Sequence, residues 1–352
     1  MYLMRFNPRF FYLLPIILTV GFAYWYFSPA THVPVQDSWR MPVASSEVDE
    51  PITPLPLTLN LDPNKVALGK RLFNDTRLSA NNTISCASCH DLAHGGVDGR
   101  PRAFGIGGAM GAINVPTVFN SGFNFRQFWD GRAASLEDQI DGPVQHPKEM
   151  GSSWSQVVAV LSDDSSYRSD FKVIYRSGIT PETVKDAIAM FERSLYTPNS
   201  KFDRYLRGEK NSLDGEEIAG YQLFKEVGCV ACHQGVNVGG NMYEKIGLVE
   251  NYFEQRGNIE QVDFGRFNIT KDEEHRYEFR VPSLRNVALT APYFHDASAV
   301  DLKQAVAIMG KFQLGVDLKP DEIHRIVKFL NTLTGEYEGR SLSQAEPTGH
   351  EK

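Results

Sequence analysis

Cysteine is scarce in this chain, with four residues among 352. All four fall in two tight pairs, so none is left over and disulfide content carries no reading of its own. Basic charge is also in deficit. Lys and Arg number 36 against 43 Asp and Glu, a net charge of −7, which argues against a nucleic-acid partner. Charged residues make up only 22% of the chain, while glycine (29) and proline (19) are frequent. That composition disfavours a regular helix bundle and suits a loop-rich fold. The length leaves room for two domains, each with its own core.

The cysteines stand in Cys86-Ala87-Ser88-Cys89-His90 and Cys229-Val230-Ala231-Cys232-His233. Each is C-x-x-C-H, the attachment pattern of c-type haem. Two thiols at this spacing can bond to the two vinyl groups on one haem edge, and the adjacent histidine can offer its imidazole to the iron. The alternatives are a pair of thioredoxin-like dithiols or a zinc site; neither requires a histidine directly after each second cysteine. Two covalently bound haem c groups are therefore expected, on Cys86, Cys89 and His90 and on Cys229, Cys232 and His233.

Arg5 and Arg9 precede an apolar run from Phe10 to Phe27. Residues 1–30 read as a retained single-span anchor with the basic side inside. A signal peptide cleaved near Ser28-Pro29-Ala30 is the alternative. Either delivers the chain to the periplasm, where haem is attached. Residues 31–61 are a proline-containing linker expected to drape over the folded body. Pro63 opens a helix through Phe73. Residues 91–113 are glycine-rich loop. A short helix around Leu136 and Ile140 is expected to break at Gly142-Pro143, and Thr180-Pro181-Glu182 opens another helix. Further helices are expected over Leu213–Phe224, Asp301–Phe312 and Pro320–Leu333. Gly69-x-x-Leu72-Phe73 before the first haem motif returns as Gly220-x-x-Leu223-Phe224 before the second, a weak internal repeat. The expected fold is mostly α, with two cytochrome-c-like haem domains and long loops. Residues 62–204 form the first, 205–336 the second, and 337–352 a flexible tail.

The order of further motifs carries a family resemblance. These are Leu68-Gly69-x-x-Leu72-Phe73-x-Asp75-x-Arg77-Leu78-Ser79, Gly95-Gly96-Val97-Asp98-Gly99, Asn114-x-Pro116-Thr117 and Phe128-Trp129-Asp130-Gly131-Arg132. Glu149-Met150, Val281-Pro282-Ser283-Leu284-Arg285-Asn286 and Tyr293-Phe294-His295 complete the set. From about Leu61 to Gly335 the chain resembles the bacterial di-haem cytochrome c peroxidases, including their MauG-like branch. The resemblance implies that the first haem reduces hydrogen peroxide and that the second receives electrons from a small cytochrome c or cupredoxin. It makes His233 and Met309 the axial ligands of the second iron and places Trp129 between the haems. Gln139 and Glu149 become the polar pair facing the reactive iron, with Glu149 as proton shuttle. Asn114, Thr290 and Pro292 become an inter-haem calcium site, the first through its side chain and the others through carbonyls. Homodimers also occur in the family. Outside that resemblance, Met309 reads sooner as a core methionine, Trp129 can be simple packing, Glu149 a surface carboxylate, and the three calcium candidates are ordinary turn residues.

One position departs from the pattern. Many family members carry a histidine in the loop after the first haem motif that blocks the reactive iron. Ile106 occupies that place here, and isoleucine cannot ligate. His94 lies only four residues beyond His90 and is a poor substitute. The expectation is a first haem open to peroxide in the oxidised protein, without reductive activation. Three other functions compete, peroxide sensing being the plainest. A MauG-like oxidase of a protein or organic substrate is favoured by the missing histidine but opposed by Met309, where that branch carries tyrosine. A non-catalytic electron-transfer cytochrome would have both irons saturated.

Overall fold

The computed structural model describes residues 50–344. The anchor or signal peptide expected at 1–30, the linker up to residue 49 and the tail from residue 345 lie outside the described residues. Among the described residues no helix is long and apolar enough to cross a membrane.

Helix α1 (Pro63–Phe73) starts where the sequence predicts. Asp62 accepts the backbone N–H groups of Asn64 and Lys65, and Pro63 fills the first turn. Helix α2 (Leu136–Gln145) differs from expectation by running through Gly142 and Pro143. Proline costs it one backbone donor, but Ile140 and Val144 are both buried in the same core. His146 N–H still closes the last turn on Gly142 O at 2.9 Å. Helices α3 (Trp154–Asp163) and α4 (Ser165–Ile174) were not expected. Each has a side-chain cap, Ser153 and Asp164, and each buries an i, i+4 pair: Val157 with Leu161, and Tyr167 with Phe171. Helix α5 (Pro181–Ser194) follows a Thr180 cap, and α6 (Lys201–Leu206) a Ser200 cap.

The second half continues with α7 (Gly215–Glu226), strand β1 (Tyr243–Lys245), and short helices α8 (Tyr252–Arg256) and α9 (Phe267–Thr270). Strand β2 (Glu278–Arg280) pairs antiparallel with β1, Tyr243 opposite Arg280. Helix α10 (Leu302–Ile308) passes into a wider π-helical segment at Met309–Gln313 instead of running on as a regular helix to Phe312. Helix α11 (Pro320–Asn331) is followed by a β3 (Glu336–Tyr337) and β4 (Arg340–Ser341) hairpin. Residues 337–344, expected as flexible tail, are thus ordered. Tyr337 stacks edge-on to Phe119 at 5.2 Å, and Leu342 is buried in the first core.

The internal repeat has a steric cause. Helix α1 crosses α5 at Gly69, where an added Cβ would lie 1.9 Å from Ala187 O. Helix α7 crosses α11 at Gly220, where it would lie 2.0 Å from Arg325 O. Each crossing pairs phenylalanines, Phe73 with Phe191 at 5.2 Å and Phe224 with Phe329 at 5.1 Å. Each anchors one hydrophobic core. The terminal segments cross over: Ile52 is buried in the second core, whereas Tyr337 and Leu342 join the first. A buried network around Thr197 links the halves. Asn120 and Asn286 each take the left-handed conformation and each donates to Thr197 Oγ1, at 2.8 and 3.0 Å.

Candidate haem sites

Both C-x-x-C-H motifs fold as one 3₁₀ turn, Cys86–Ser88 and Cys229–Ala231. The histidine N–H returns to the first cysteine's carbonyl at 3.0 Å in each. This puts both thiols and the imidazole on one local scaffold. Burial pushes all four thiols up, Cys89 to about 11 and Cys229 to about 12. A redox dithiol needs an accessible thiolate, so these environments oppose that alternative. Burial also lowers both imidazoles, His233 to about 4, leaving them neutral as iron ligation requires.

His90 Nδ1 lies 3.1 Å from Gly96 O, which orients the ring. Gly96 has φ +72, and a Cβ there would come within 2.9 Å of Thr117 Oγ1. His233 Nδ1 is buried against the Val238 and Pro282 backbone without closing a hydrogen bond. Gly239, at φ +116, lets that backbone pass; its Cβ would lie 2.4 Å from Pro282 O and 3.2 Å from His233 Nδ1.

A largely apolar cavity opens beside the second motif. Cys229, Cys232, His233 and Met309 line it, with Phe224 and Leu330 supplying apolar wall. A covalent attachment edge, a neutral imidazole, a thioether and an apolar slot together fit a haem c. Trp129, Asn114, Thr290 and Pro292 line the same cavity. Trp129 Nε1 donates to Asn114 O at 2.9 Å, and Asn114 N donates to His295 O at 2.8 Å. Asn114 Nδ2 donates to Arg100 O at 2.9 Å. Its Oδ1 accepts no hydrogen bond among the described residues, as a candidate cation ligand should.

Gln139 sits on α2 and Glu149 on the turn that folds back from it. Met150 N donates to Pro143 O and Ser152 N to Val144 O, which fixes that turn. The two side chains share no hydrogen bond. Gln139's amide has no hydrogen-bonding partner among the described residues, and Glu149 has only His146 at 3.6 Å. The Glu149 side chain is about half exposed, and its remaining desolvation raises the carboxyl above its ordinary value, although His146 and Arg132 oppose this. Its charge reaches Cys89 of the first motif. Ile106 N donates to Glu149 O at 2.8 Å, and the Ile106 side chain occupies the space left by Gly151. His94 turns away to Asp91, 2.7 Å from its Oδ2.

Sequence reasoning assigned no role to three buried polar groups. His295, fully buried, holds Asp263 at 2.7 Å, and Arg256 pairs with Asp263 and with Asp296. Despite the cost of burial, His295 and Arg256 hold the Asp263 carboxyl well below the usual carboxylate range. The guanidinium already supplies the cation that this acidic pair would otherwise need. Glu192 on α5 is buried with an unpartnered Oε2, and Arg280 is buried in the wall of the second cavity. A longer repeat could have exposed the pattern. Phe128-Trp129-Asp130-Gly131-Arg132-Ala133 matches Phe294-His295-Asp296-Ala297-Ser298-Ala299, with Phe128 at φ 68 and Phe294 at φ 70. Trp129 and His295 are therefore equivalent positions, in edge contact at 6.3 Å.

The fold and both motifs define a double c-type cytochrome architecture. The model of the di-haem cytochrome c peroxidase family matches residues 63–211, and that of cytochrome c matches residues 218–334. Cytochrome c551 peroxidase of Nitrosomonas europaea is 43% identical over 86% of this chain and 90% of its own. Cytochrome c peroxidase Ccp of Escherichia coli K12 is 49% identical over 82% of this chain, which spans 62% of that longer protein. A crystal structure of a MauG-like protein associated with microbial copper homeostasis superposes with a TM-score of 0.70 at 30% identity. That match covers 85% of this chain and 95% of the other. The chain belongs to the di-haem cytochrome c peroxidase family, whose members carry two covalently bound haem c groups.

Proposed function

We propose that this protein reduces hydrogen peroxide to water at the haem held by His90, without prior reductive activation. Electrons enter from a small cytochrome c or cupredoxin through the haem held by His233 and Met309, and Trp129 lies between the two sites. The observation that carries this reading is the loop at Ile106, hydrogen-bonded to the turn that bears Glu149. A non-ligating Ile106 is docked beside Glu149, whose carboxylate has only His146 within ion-pair distance and can act on a bound substrate. When bound, the haems supply the iron centres that exchange electrons with peroxide and donor. Glu149 would take a proton from one peroxide oxygen and return one to the other as it departs; its raised proton affinity suits both steps. Two electrons and two protons per peroxide give two waters. Gln139 offers an amide to orient the substrate.

Calcium is held by Asn114 Oδ1 with the Thr290 and Pro292 carbonyls, an all-oxygen neutral set that water completes. The reading divides the body at residues 204/205 and places it in the periplasm, tethered by the amino-terminal segment. Self-association as a homodimer belongs to the same reading. A second reading, MauG-like oxidation of a protein or organic substrate, shares the open first site. Met309 in the cavity wall favours the peroxidase. Glu149→Gln tests the assignment: peroxide turnover falls by about 10²–10⁴-fold while both haem spectra are retained. Full turnover in this variant removes Glu149 from the chemistry.

A further inference from the structure

Arg280 ends strand β2 and lies in the wall of the second cavity, 4% exposed. Its Nε donates to Phe128 O at 3.2 Å and one terminal nitrogen to Asn124 Oδ1 at 3.2 Å. Both acceptors are neutral. No carboxylate lies within ion-pair distance among the described residues. Its buried counterpart Arg285, by contrast, is paired with Asp203 at 3.0 Å. Burial without an anion lowers the Arg280 guanidinium to about 10, with Tyr243 opposing. A buried unpaired charge is costly, and folded proteins rarely keep one without a partner.

The missing partner is an anion that enters the cavity. A haem c bonded at Cys229 and Cys232 brings two propionate carboxylates, and planar guanidinium matches planar carboxylate. We infer that Arg280 is the propionate-binding residue of the second haem, a positioning residue that fixes this haem's seat and raises its reduction potential. The inference rests on the reading of the second motif as a haem site. The arginine's backbone N–H also donates to Trp129 O at 2.8 Å. The same residue thus ties the haem edge to the tryptophan between the sites. In the internal repeat its equivalent is Asn114, which binds Trp129 from the other side.

The test is potentiometric titration of the full-length holoprotein with each haem followed separately, comparing wild type, Arg280→Gln and Arg280→Lys. Loss of the positive charge lowers the second haem's reduction equilibrium constant at least tenfold, 59 mV for one electron. Lysine recovers most of that loss, and the first haem moves far less. A second haem at its wild-type potential in Arg280→Gln overturns the inference. Should neither variant mature, resonance Raman of wild type decides. The second haem's propionate bending mode shifts in D₂O if a guanidinium bonds it, and an unmoved mode overturns the inference. Wild type carrying haem only on the first motif would instead overturn the reading of the site.

Discussion

Glu192 offers a quantitative test of the packing. It lies on α5 one residue after Phe191, as Leu330 lies one residue after Phe329 on α11. Leu330 is apolar wall in the second cavity; at the equivalent place in the first half the chain buries a carboxyl group with an unpartnered oxygen. Burial raises Glu192 from 4.5 to about 8, with Arg193 opposing and Glu137 adding to the rise. Below pH 4.5 the group is protonated in both folded and unfolded chains and imposes no ionisation cost. Between 4.5 and 8 the unfolded chain ionises while the folded one keeps its proton. Native stability therefore falls by about 1.4 kcal/mol per pH unit, roughly 3 kcal/mol by pH 7. Glu192→Leu removes this dependence. Urea unfolding of holoprotein from pH 5 to 8 should show the variant gaining on wild type steadily as pH rises. Parallel curves, or a variant that loses ground, would refute the assignment of Glu192 as a buried, neutral acid.

Two further outcomes follow from the same geometry. Replacing Met309 with histidine exchanges a thioether for an imidazole, so the second haem's potential falls by more than 59 mV in a redox titration while the first is little changed. Gly220→Ala drives a methyl group to 2.0 Å from Arg325 O. Separating α7 from α11 costs about 3 kcal/mol or more, read as a lowered thermal midpoint or failure to mature the second haem.

The haem motifs and the α1 boundary were legible because covalent attachment and helix capping are local in sequence. Gly69 and Gly220 were visible as a repeat, but their reason, backbone touching backbone across a helix crossing, needed the partner helices. The break expected at Gly142-Pro143 did not occur because burial of Ile140 and Val144 outweighs one lost hydrogen bond. Helices α3 and α4 were missed although Ser153 and Asp164 are good caps; the short polar stretch between them obscured the pattern. Residues 337–344 resemble a tail in sequence because their polar composition hides the long-range packing of Tyr337 and Leu342. Arg280 and Glu192 could not be singled out from sequence, since their interest lies in being buried without a partner.

The central claim is that Ile106 leaves the first haem open. Stopped-flow mixing of peroxide with the fully ferric protein, with no reductant present, tests it most directly. The expected result is an immediate peroxide-dependent change in the first haem's spectrum at a rate proportional to peroxide. A ferric protein that stays inert until its second haem is reduced would contradict it.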